Sequence, residues 1–314
     1  MRILVTGGAG FIGSHLCERL LEGSNEVICV DDFNDFYNPK IKEKNISECK
    51  KNFKLYKADI RNKKNLENIF KKEKIDIVVH LAARAGVRPS ILYPQLYADV
   101  NILGTMNLLE TARRNNVKKF VFGSSSSVYG LNKKVPFNEE DSLDSMISPY
   151  AITKYAGERL CYQYNKLYKI PIVCLRFFTV YGPRGRPDMA VYKFTKLINE
   201  KKKIEMYGDG TSKRDYTYVS DIVDGIMAAI NKKLDFEIIN LGDSNPIELK
   251  YLIKLIEKNL GKKALIKKAD VQPGDVPVTY ADIRKAKKLL GYQPKIKIED
   301  GIKRFVKWYL KEAL

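Results

Sequence analysis

The sequence predicts an α/β fold, in which a doubly wound parallel sheet is joined to a smaller C-terminal α/β domain. Apolar segments of strand length alternate with amphipathic helical segments through residues 1–178, an order typical of parallel sheets. A glycine-rich loop joins the first strand to the first helix, and a pair of acids follows the second strand. Because ligands bind at the carboxyl ends of the strands in such sheets, both features are expected at one edge.

The first strand and the first helix flank the glycine-rich loop. Residues 2–6 read as a buried strand, and residues 14–22 follow the helical pattern. Glycines at every third position let the backbone turn tightly and approach a pyrophosphate at the helix N-terminus, as in Rossmann dinucleotide-binding domains. The residues predicted to contact the dinucleotide in this loop are Gly7, Gly10, Phe11, Ile12 and Gly13.

The second strand, residues 26–30, ends at the acids Asp31 and Asp32. A carboxylate 24 positions after Gly7 suits the hydroxyls of an adenosine ribose and repels a 2′-phosphate, which favours NAD over NADP. A solvated acid at a strand end is the alternative explanation. The position favours ribose binding for Asp31, whereas the role of Asp32 stays open.

Four further strands continue the alternation, and their carboxyl ends carry candidate ligand contacts. The strands are predicted at residues 54–58, 76–81, 119–123 and 173–177, with helices at 62–73 and 101–115. Strand exits carry further residues expected near the cofactor, namely Asp59, Ile60, Leu81, Ala82 and Ala83. The fifth strand is followed by a row of hydroxyls expected to face the ligand crevice, Ser124–Ser127.

Tyr150 and Lys154 are four residues apart in a segment that reads as a helix, so both side chains lie on one face. A free tyrosine has a pKa near ~10 and is a poor base at neutral pH. A neighbouring ammonium and a cationic nicotinamide both favour the phenolate. Such a tyrosine can take a hydroxyl proton while a hydride leaves the same carbon. The pair also occurs by chance on surface helices, so its weight comes from the cofactor motifs that precede it.

The C-terminal half differs in character from the alternating N-terminal part. A loop rich in cations spans residues 184–189, and a strand at 236–241 is expected to return to the sheet. Amphipathic helices are predicted at 191–200, 248–260 and 299–313. The two predicted domains are 1–178 with about 215–243 for the cofactor, and about 179–214 with 244–314 for the substrate.

Composition and charge limit the classes of function. The 314 residues include 56 Lys and Arg against 37 Asp and Glu, a net charge of +19. Because the lysines are spread along the chain, a solvated surface explains this charge better than a nucleic-acid site does, and it would attract an anionic nucleotide. The five scattered cysteines and two histidines predict reduced thiols and no metal site. No apolar run reaches the ~20 residues of a membrane span and no signal-peptide pattern is found, so a cytoplasmic enzyme is expected.

The motifs resemble those of the extended short-chain dehydrogenases/reductases over essentially the whole chain. The shared segments are Thr6–Gly13, Ser126–Gly130, Tyr150–Lys154, Arg214–Asp221 and Gln272–Val276. Within that family the chain resembles the nucleotide-sugar epimerases, and residues 84–90 and 179–190 resemble segments typical of UDP-glucuronate 4-epimerases. One departure is Ser125, where the family often has threonine, although both residues present a hydroxyl.

The resemblance implies an enzyme that binds NAD tightly and interconverts UDP-glucuronate and UDP-galacturonate by transient oxidation at carbon 4. It assigns proton abstraction to Tyr150, a proton relay to Ser125 and contact with the nicotinamide ribose to Lys154. Related dehydratases and decarboxylases carry an acid in the two positions after the catalytic hydroxyl, where this chain has Ser126 and Ser127. Serine at these positions favours epimerisation.

The resemblance also implies how a UDP-sugar is held. The expected substrate contacts are Arg88, Ser125, Ser126, Ser127, Thr179, Arg186, Arg214 and Asp275. Arg186 and Thr179 are assigned to a substrate carboxylate, which a guanidinium can bind in bidentate fashion. Arg214 is assigned to the pyrophosphate and Asp275 to the uridine ribose. Contact of Arg186 with phosphate or solvent is the alternative.

Two other functions stay open at this point. A UDP-glucose 4-epimerase would use the same residues on a neutral sugar. A non-catalytic dinucleotide-binding regulator is a different class of protein, and the intact set of Ser125, Tyr150 and Lys154 argues against it. The resemblance further suggests a homodimer paired through the helices at 101–115 and 150–168.

Overall fold

The computed structural model of the protein describes residues 1–270 and 276–312. The strands in chain order are β1 (Arg2–Thr6), β2 (Glu26–Asp31), β3 (Lys54–Lys57), β4 (Ile77–His80), β5 (Lys119–Ser125), β6 (Ile172–Phe177), β7 (Thr179–Tyr181), β8 (Lys203–Tyr207), β9 (Lys213–Tyr218), β10 (Phe236–Leu241), β11 (Pro246–Glu248), β12 (Leu265–Ala269) and β13 (Val278–Thr279). The α-helices in chain order are α1 (Phe11–Glu22), α2 (Pro39–Asn45), α3 (Lys63–Glu73), α4 (Val87–Leu92), α5 (Pro94–Ala98), α6 (Gly104–Arg114), α7 (Pro149–Tyr168), α8 (Ala190–Asn199), α9 (Val219–Asn231), α10 (Leu249–Leu260), α11 (Arg284–Leu290) and α12 (Ile298–Glu312). A π-helical turn covers Asp99–Leu103, and a 3₁₀ turn covers Ser126–Tyr129.

The central sheet holds seven parallel strands within the described residues, in the order β10–β6–β5–β4–β1–β2–β3. β1 lies inside the sheet, with Leu4 paired to Ile28 of β2 and to Val78 of β4. The doubly wound parallel sheet is therefore confirmed. The predicted return of residues 236–241 is also confirmed, since β10 pairs with β6 at the edge of the sheet.

Side chains of the central strands alternate between two covered faces. Ile3 and Val5 of β1 belong to one core, which includes residues of α1 and α9 and much of the C-terminal half. Leu4 belongs to the core on the other face, which α3, α6 and α7 cover. Strands buried on both faces read as continuous apolar runs. Because both faces are covered, ligands have access to the sheet at its strand ends.

A smaller group of strands follows in the C-terminal half. β9 pairs with β11 and β13, and β7 pairs with β9 in parallel. β8 pairs separately with β12. α10 packs against both α8 and α12. The predicted domain boundary near residues 214–215 falls inside β9, and the division into two domains stays a prediction.

Several boundaries near the strand ends differ from the predicted ones. α1 begins at Phe11, directly after the glycine loop, instead of at residue 14. β5 extends through Ser124 and Ser125, which the sequence pattern placed in a loop, and the 3₁₀ turn follows them. The predicted helix 101–115 is divided into the π-helical turn and α6. The hydroxyls of Ser124 and Ser125 therefore lie on a regular strand, and those of Ser126 and Ser127 lie on the 3₁₀ turn.

The cysteines and the possible metal ligands can be checked for disulfide bonds and metal sites. All five cysteines are buried and free of disulfide bonds. Across residues 1–270 and 276–312, His, Cys, Asp and Glu side chains form no cluster that could hold a metal ion. No helix in these same ranges is long and apolar enough to cross a membrane.

Candidate active site

A cavity of about 520 Å³ opens at the carboxyl ends of the central strands. Its wall includes the glycine loop after β1, the ends of β2, β5 and β6, the residues after β4, the start of α7 and the loop before α8. The predicted site residues that line it are Gly7, Gly10, Phe11, Ile12, Gly13, Asp31, Ile60, Leu81, Ala82, Ala83, Arg88, Ser125, Ser126, Ser127, Tyr150, Lys154, Thr179 and Arg186. Residues from distant parts of the chain therefore meet at one edge of the sheet, as the fold requires.

Two of the described residues predicted for the site, Asp59 and Arg214, do not line this cavity. The Asp59 carboxylate accepts hydrogen bonds from the backbone N (2.8 Å) and the Nε (2.9 Å) of Arg61. Arg214 lies on β9, outside the central sheet, and its Nη1 donates to the Val276 carbonyl oxygen at 2.8 Å. Asp275 lies outside the described residues, so its contact with uridine stays a prediction.

The glycine loop fits closely between β1 and the end of β4. Gly7 has a φ of +70°, and a Cβ added there would lie 2.8 Å from the backbone N of Ala82. A Cβ added at Gly13 would lie 2.1 Å from the carbonyl oxygen of Gly7. Glycine is therefore required at both positions, the first by its backbone conformation and by space, the second by space alone. The resulting cradle leads directly into the N-terminus of α1, the arrangement that binds a pyrophosphate.

Asp31 is almost completely buried at the end of β2. Its carboxylate accepts hydrogen bonds from Ala9 N (3.2 Å) and Phe33 N (2.9 Å). It also forms an ion pair with Lys42 Nζ at 2.8 Å. Lys42 lines the cavity from α2, a short helix that the sequence pattern did not predict. The lysine partly offsets the repulsion that Asp31 exerts on a 2′-phosphate.

The start of α7 positions the predicted catalytic pair. Ser148 caps the helix by accepting a hydrogen bond from Ala151 N at 3.2 Å, and Pro149 occupies the first helical position. Tyr150 then lies in the first turn and Lys154 one turn later, and both line the cavity. The helix read from the sequence around Tyr150 and Lys154 therefore begins at this cap.

The charge state of Tyr150 is set by burial and by two neighbours. Burial raises the pKa of its phenol, while a hydrogen bond with Ser125 and the positive charge of Arg186 lower it. The predicted lowering by Lys154 is not seen, and the Lys154 ammonium donates to the Gly123 carbonyl oxygen at 2.6 Å. Burial lowers the pKa of Lys154 itself to about 8. Arg186, and not Lys154, is thus the cation that lowers the pKa of the candidate base.

The serine row divides into two orientations. The Ser125 hydroxyl accepts a hydrogen bond from Ser127 N at 3.2 Å, and its Oγ lies 3.1 Å from Ser127 Oγ. Ser124 also lines the cavity, but its hydroxyl donates to Glu158 Oε1 at 2.6 Å. Successive residues of a strand point to opposite sides, which accounts for this difference. Ser125 is the hydroxyl that reaches Tyr150.

Arg186 enters the cavity already paired with an acid. Its Nε and Nη2 donate to the two oxygens of Asp188 at 3.0 and 2.5 Å, and its guanidinium lies 5.2 Å from the ring centroid of Phe36. Both partners also line the cavity, and neither was predicted. The Arg-x-Asp spacing was the available signal for the first of them. Since Asp188 occupies the Nε–Nη2 edge, the Nη1–Nη2 edge is the one that a ligand carboxylate can use.

Arg88 and Thr179 reach the cavity from elements that the sequence pattern did not reveal. The Arg88 guanidinium, on α4, lies 4.9 Å from the ring centroid of Tyr207 at the end of β8. Thr179 begins β7 and is in register with Tyr216 of β9. Both contacts join the rim of the central sheet to the C-terminal strands. The cavity therefore lies between the central sheet and the C-terminal strands.

The cavity combines a phenol, a hydroxyl, an ammonium and a guanidinium. The groups belong to Tyr150, Ser125, Lys154 and Arg186. Phenol and hydroxyl can move a proton on and off a substrate oxygen, while the guanidinium can bind an anionic group. This is the chemistry expected of a short-chain dehydrogenase/reductase with an acidic substrate.

Comparison with known proteins agrees with this geometry. Residues 4–305 match the GDP-mannose 4,6 dehydratase family. The chain belongs to this family of extended short-chain dehydrogenases/reductases. It is 48% identical to the UDP-glucuronate 4-epimerase of Thermodesulfobacterium geofontis over 97% of this chain and 95% of that protein. It is also 51% identical to an uncharacterized protein of Methanocaldococcus jannaschii, over 98% of this chain and 96% of the relative.

Two solved structures are similar to this chain over almost its whole length. The UDP-glucuronic acid 4-epimerase of Bacillus cereus, in complex with UDP-glucuronic acid and NAD, superimposes with a TM-score of 0.93. It is 40% identical, and the match covers 99% of each chain. The UDP-glucose 4-epimerase of Thermotoga maritima, with UDP-glucose, has a TM-score of 0.92 and 34% identity over 100% of each chain.

Proposed function

We propose that this protein is a UDP-glucuronate 4-epimerase, which interconverts UDP-glucuronate and UDP-galacturonate. The observation that carries the proposal is the presence of Arg186 in the same cavity as Tyr150, close enough to lower the pKa of its phenol. The cavity therefore offers a cation beside the group that reacts at carbon 4. A uronate carries its carboxylate on carbon 5, the next ring carbon. The relatives from T. geofontis and B. cereus support the same activity.

NAD is the cofactor that the residues of the cavity fit. The glycine cradle excludes side chains at Gly7 and Gly13, which leaves room for a pyrophosphate, and Asp31 lies at the end of β2 for a ribose. The solved B. cereus relative holds NAD. When bound, NAD supplies reversible oxidation at carbon 4 of the sugar, with no net redox change. Lys154 is the residue proposed to hold its nicotinamide ribose.

Tyr150 is proposed to take the proton from the 4-hydroxyl and to return it after the sugar has turned. Ser125, hydrogen-bonded to this phenol, keeps the oxygen in line and can relay the proton. Burial raises the pKa of Tyr150 above that of a free tyrosine, and Ser125 and Arg186 oppose this effect in part. Each residue thus has a task at the reacting oxygen or on its immediate partner.

The family takes its name from a dehydratase, and two serines separate this chain from that reaction. Elimination of water across carbons 5 and 6 needs an acid–base pair next to the catalytic hydroxyl. Here the positions after Ser125 are Ser126 and Ser127, and both line the cavity. A hydroxyl is not an effective base at neutral pH, so a reaction confined to carbon 4 is favoured.

UDP-glucose 4-epimerase is the second candidate, and the T. maritima structure supports it. The two functions are separated by incubating the purified protein with UDP-glucuronate and with UDP-glucose and resolving the epimers by chromatography. We expect conversion of UDP-glucuronate to be preferred. Faster epimerisation of UDP-glucose would reverse the choice, and activity on neither sugar would favour a non-catalytic dinucleotide-binding protein.

The bound cofactor can be identified directly. Protein purified from cells and denatured is expected to release NAD and little NADP, because the Asp31 carboxylate disfavours a 2′-phosphate even with Lys42 beside it. Mass spectrometry of the supernatant measures both nucleotides. Asp31→Ala should lower the amount of NAD released, and a preparation that releases mainly NADP would remove the role assigned to Asp31.

A homodimer and a cytoplasmic location also belong to the proposal. The helices predicted to pair, α6 and α7, carry exposed apolar side chains on the surface, among them Met106, Ile152 and Leu167. Such exposure on two neighbouring helices supports a partner surface. Sedimentation velocity tests the dimer, and Leu167→Lys is expected to shift it towards monomer.

A further inference from the structure

Glu158 is a fully buried acid directly behind the candidate active site. It lies on α7, one helical turn after Lys154 and two turns after Tyr150. Its Oε1 and Oε2 accept hydrogen bonds from Arg176 Nε (2.9 Å) and Nη2 (2.8 Å). Its Oε1 also accepts from the Ser124 hydroxyl at 2.6 Å. The acid therefore connects α7 to the ends of β5 and β6.

Arg176 extends this connection to a third strand. Its Nη1 donates to the Tyr129 hydroxyl at 3.0 Å, and Tyr129 donates to Asn240 Oδ1 at 2.7 Å. Arg176 is 1% exposed and Asn240 is fully buried. The network thus spans β5, β6 and β10 and includes the turn that follows Ser125. Buried polar groups that are fully paired hold one conformation, because any other would leave a charge or a hydrogen bond unpaired.

The groups around Lys154 make Glu158 its main counter-charge. Burial lowers the pKa of Lys154, and the charge of Glu158, followed by the Cys161 thiol, raises it. His80 of β4 is held neutral, since burial and the charge of Lys154 lower its pKa to about 3. From β6, Arg176 adds a positive charge that is paired with Glu158 itself. On β5 the ammonium contacts two uncharged groups, the Gly123 carbonyl and the Phe122 ring, whose centroid lies 5.0 Å away.

We propose that Glu158 is a positioning residue for catalysis: it fixes Ser124 and thereby the neighbouring Ser125, and it supplies the negative charge that Lys154 needs. The first part follows from the hydrogen bond to Ser124, which orients the last two residues of β5. The second follows from its place four residues after Lys154, on the same face of α7. This inference depends on the proposed function at one point: Lys154 is taken to act in catalysis in its charged form.

The sign of the effect of Glu158 on pH dependence is determined by charge. A lysine that must be protonated loses its effect as pH rises through its pKa. Removal of a nearby negative charge lowers that pKa, because the ammonium in a buried site is then less favoured. The alkaline limb of activity should therefore move to lower pH when Glu158 is neutral, whereas a purely structural role would lower activity at all pH values alike.

The test is Glu158→Gln, which keeps the size of the side chain and removes its charge. The alkaline limb of kcat/KM for the preferred UDP-sugar is expected to move to lower pH by about one unit or more. Glu73→Gln is the matched control, because Glu73 is also a buried acid paired with a lysine, Lys54, and it does not line the cavity. The control should leave the pH profile unchanged.

Glu158→Gln leaves Arg176 without its ion-pair partner, which can impair folding. The double variant Glu158→Gln with Arg176→Gln removes both charges and should show the same direction of shift. NMR titration of the NAD-bound protein with ¹³Cε-labelled lysine, in which Lys154→Arg identifies the Lys154 signal, measures the ammonium without turnover. An inactive wild type would contradict the proposed function, yet this titration would still test Glu158.

Two results would overturn the proposal. One is a folded Glu158→Gln protein, or the double variant, with an alkaline limb identical to that of wild type. The other is a Lys154 signal that titrates at the same pH with and without Glu158. A lower pH for both the activity limb and the Lys154 signal is the result that supports it.

Discussion

Replacing Tyr150 with phenylalanine is expected to lower turnover by about two to four orders of magnitude, the range typical of general acid–base groups. The ring remains to fill the cavity wall, so the change removes the titrating oxygen and little volume. Ser125 loses its hydrogen bond to the phenol, and Arg186 no longer faces a group that it can acidify. Steady-state conversion of UDP-glucuronate measures the loss, and NAD released on denaturation should equal that of wild type.

Tyr155→Phe is the matched control for this substitution. Tyr155 lies on the same helix, is partly buried and does not line the cavity. Its variant should keep nearly full activity. If Tyr150→Phe also kept it, another group would have to be the base, and the assignment of Tyr150 would be refuted.

Arg186→Ala is expected to reduce kcat/KM for UDP-glucuronate by roughly 10- to 100-fold, the value of a lost charge-assisted contact. The effect on UDP-glucose should be much smaller, because a neutral sugar has no carboxylate to hold and loses only the influence of Arg186 on the pKa of Tyr150. Asp188 is left without its partner, which adds a negative charge beside the substrate carboxylate. Parallel measurement of both substrates, with the same preparation, gives the ratio that decides the role of Arg186.

A second consequence concerns the fate of the oxidised sugar. Oxidation of a glucuronate at carbon 4 gives a β-keto acid, which loses carbon dioxide readily when its carboxylate bond lies parallel to the carbonyl π system. A guanidinium that holds the carboxylate out of that alignment protects the intermediate, and Thr179 can add a hydrogen bond. Some decarboxylated 4-keto pentose is therefore expected from Arg186→Ala and can be measured by mass spectrometry.

Arg184→Ala provides the control for the arginine substitution. Arg184 lies two residues away, and its Nη2 pairs with Glu18 at 2.7 Å, outside the cavity lining. Its loss should change both substrates alike and only slightly. Equal losses on UDP-glucuronate and UDP-glucose in Arg186→Ala would instead give Arg186 a role common to both sugars, either contact with the UDP portion or its effect on the pKa of Tyr150. The uronate proposal would then lose its main physical support.

Features encoded by neighbouring residues could be predicted from the sequence. The glycine loop, the acid after β2 and the Tyr150–Lys154 pair depend on spacing within one strand–turn–helix unit or one helix, and the structure has them there. The alternation of apolar strands with helices likewise led to the doubly wound sheet. Local spacing is sufficient in these cases because a helix turn or a strand end places adjacent residues almost independently of the rest of the chain.

Contacts between distant elements depended on the packing of the whole molecule. Lys42 pairs with Asp31 from a short helix with no strong pattern, and Arg176 meets Glu158 across the gap between β6 and α7. Burial raises the pKa of Tyr150, and the groups that oppose this effect are Ser125 and Arg186, not the predicted Lys154, for the same reason. An electrostatic effect depends on distance and burial, and neither can be read from the sequence until the sheet, α7 and the loop before α8 have packed around one cavity.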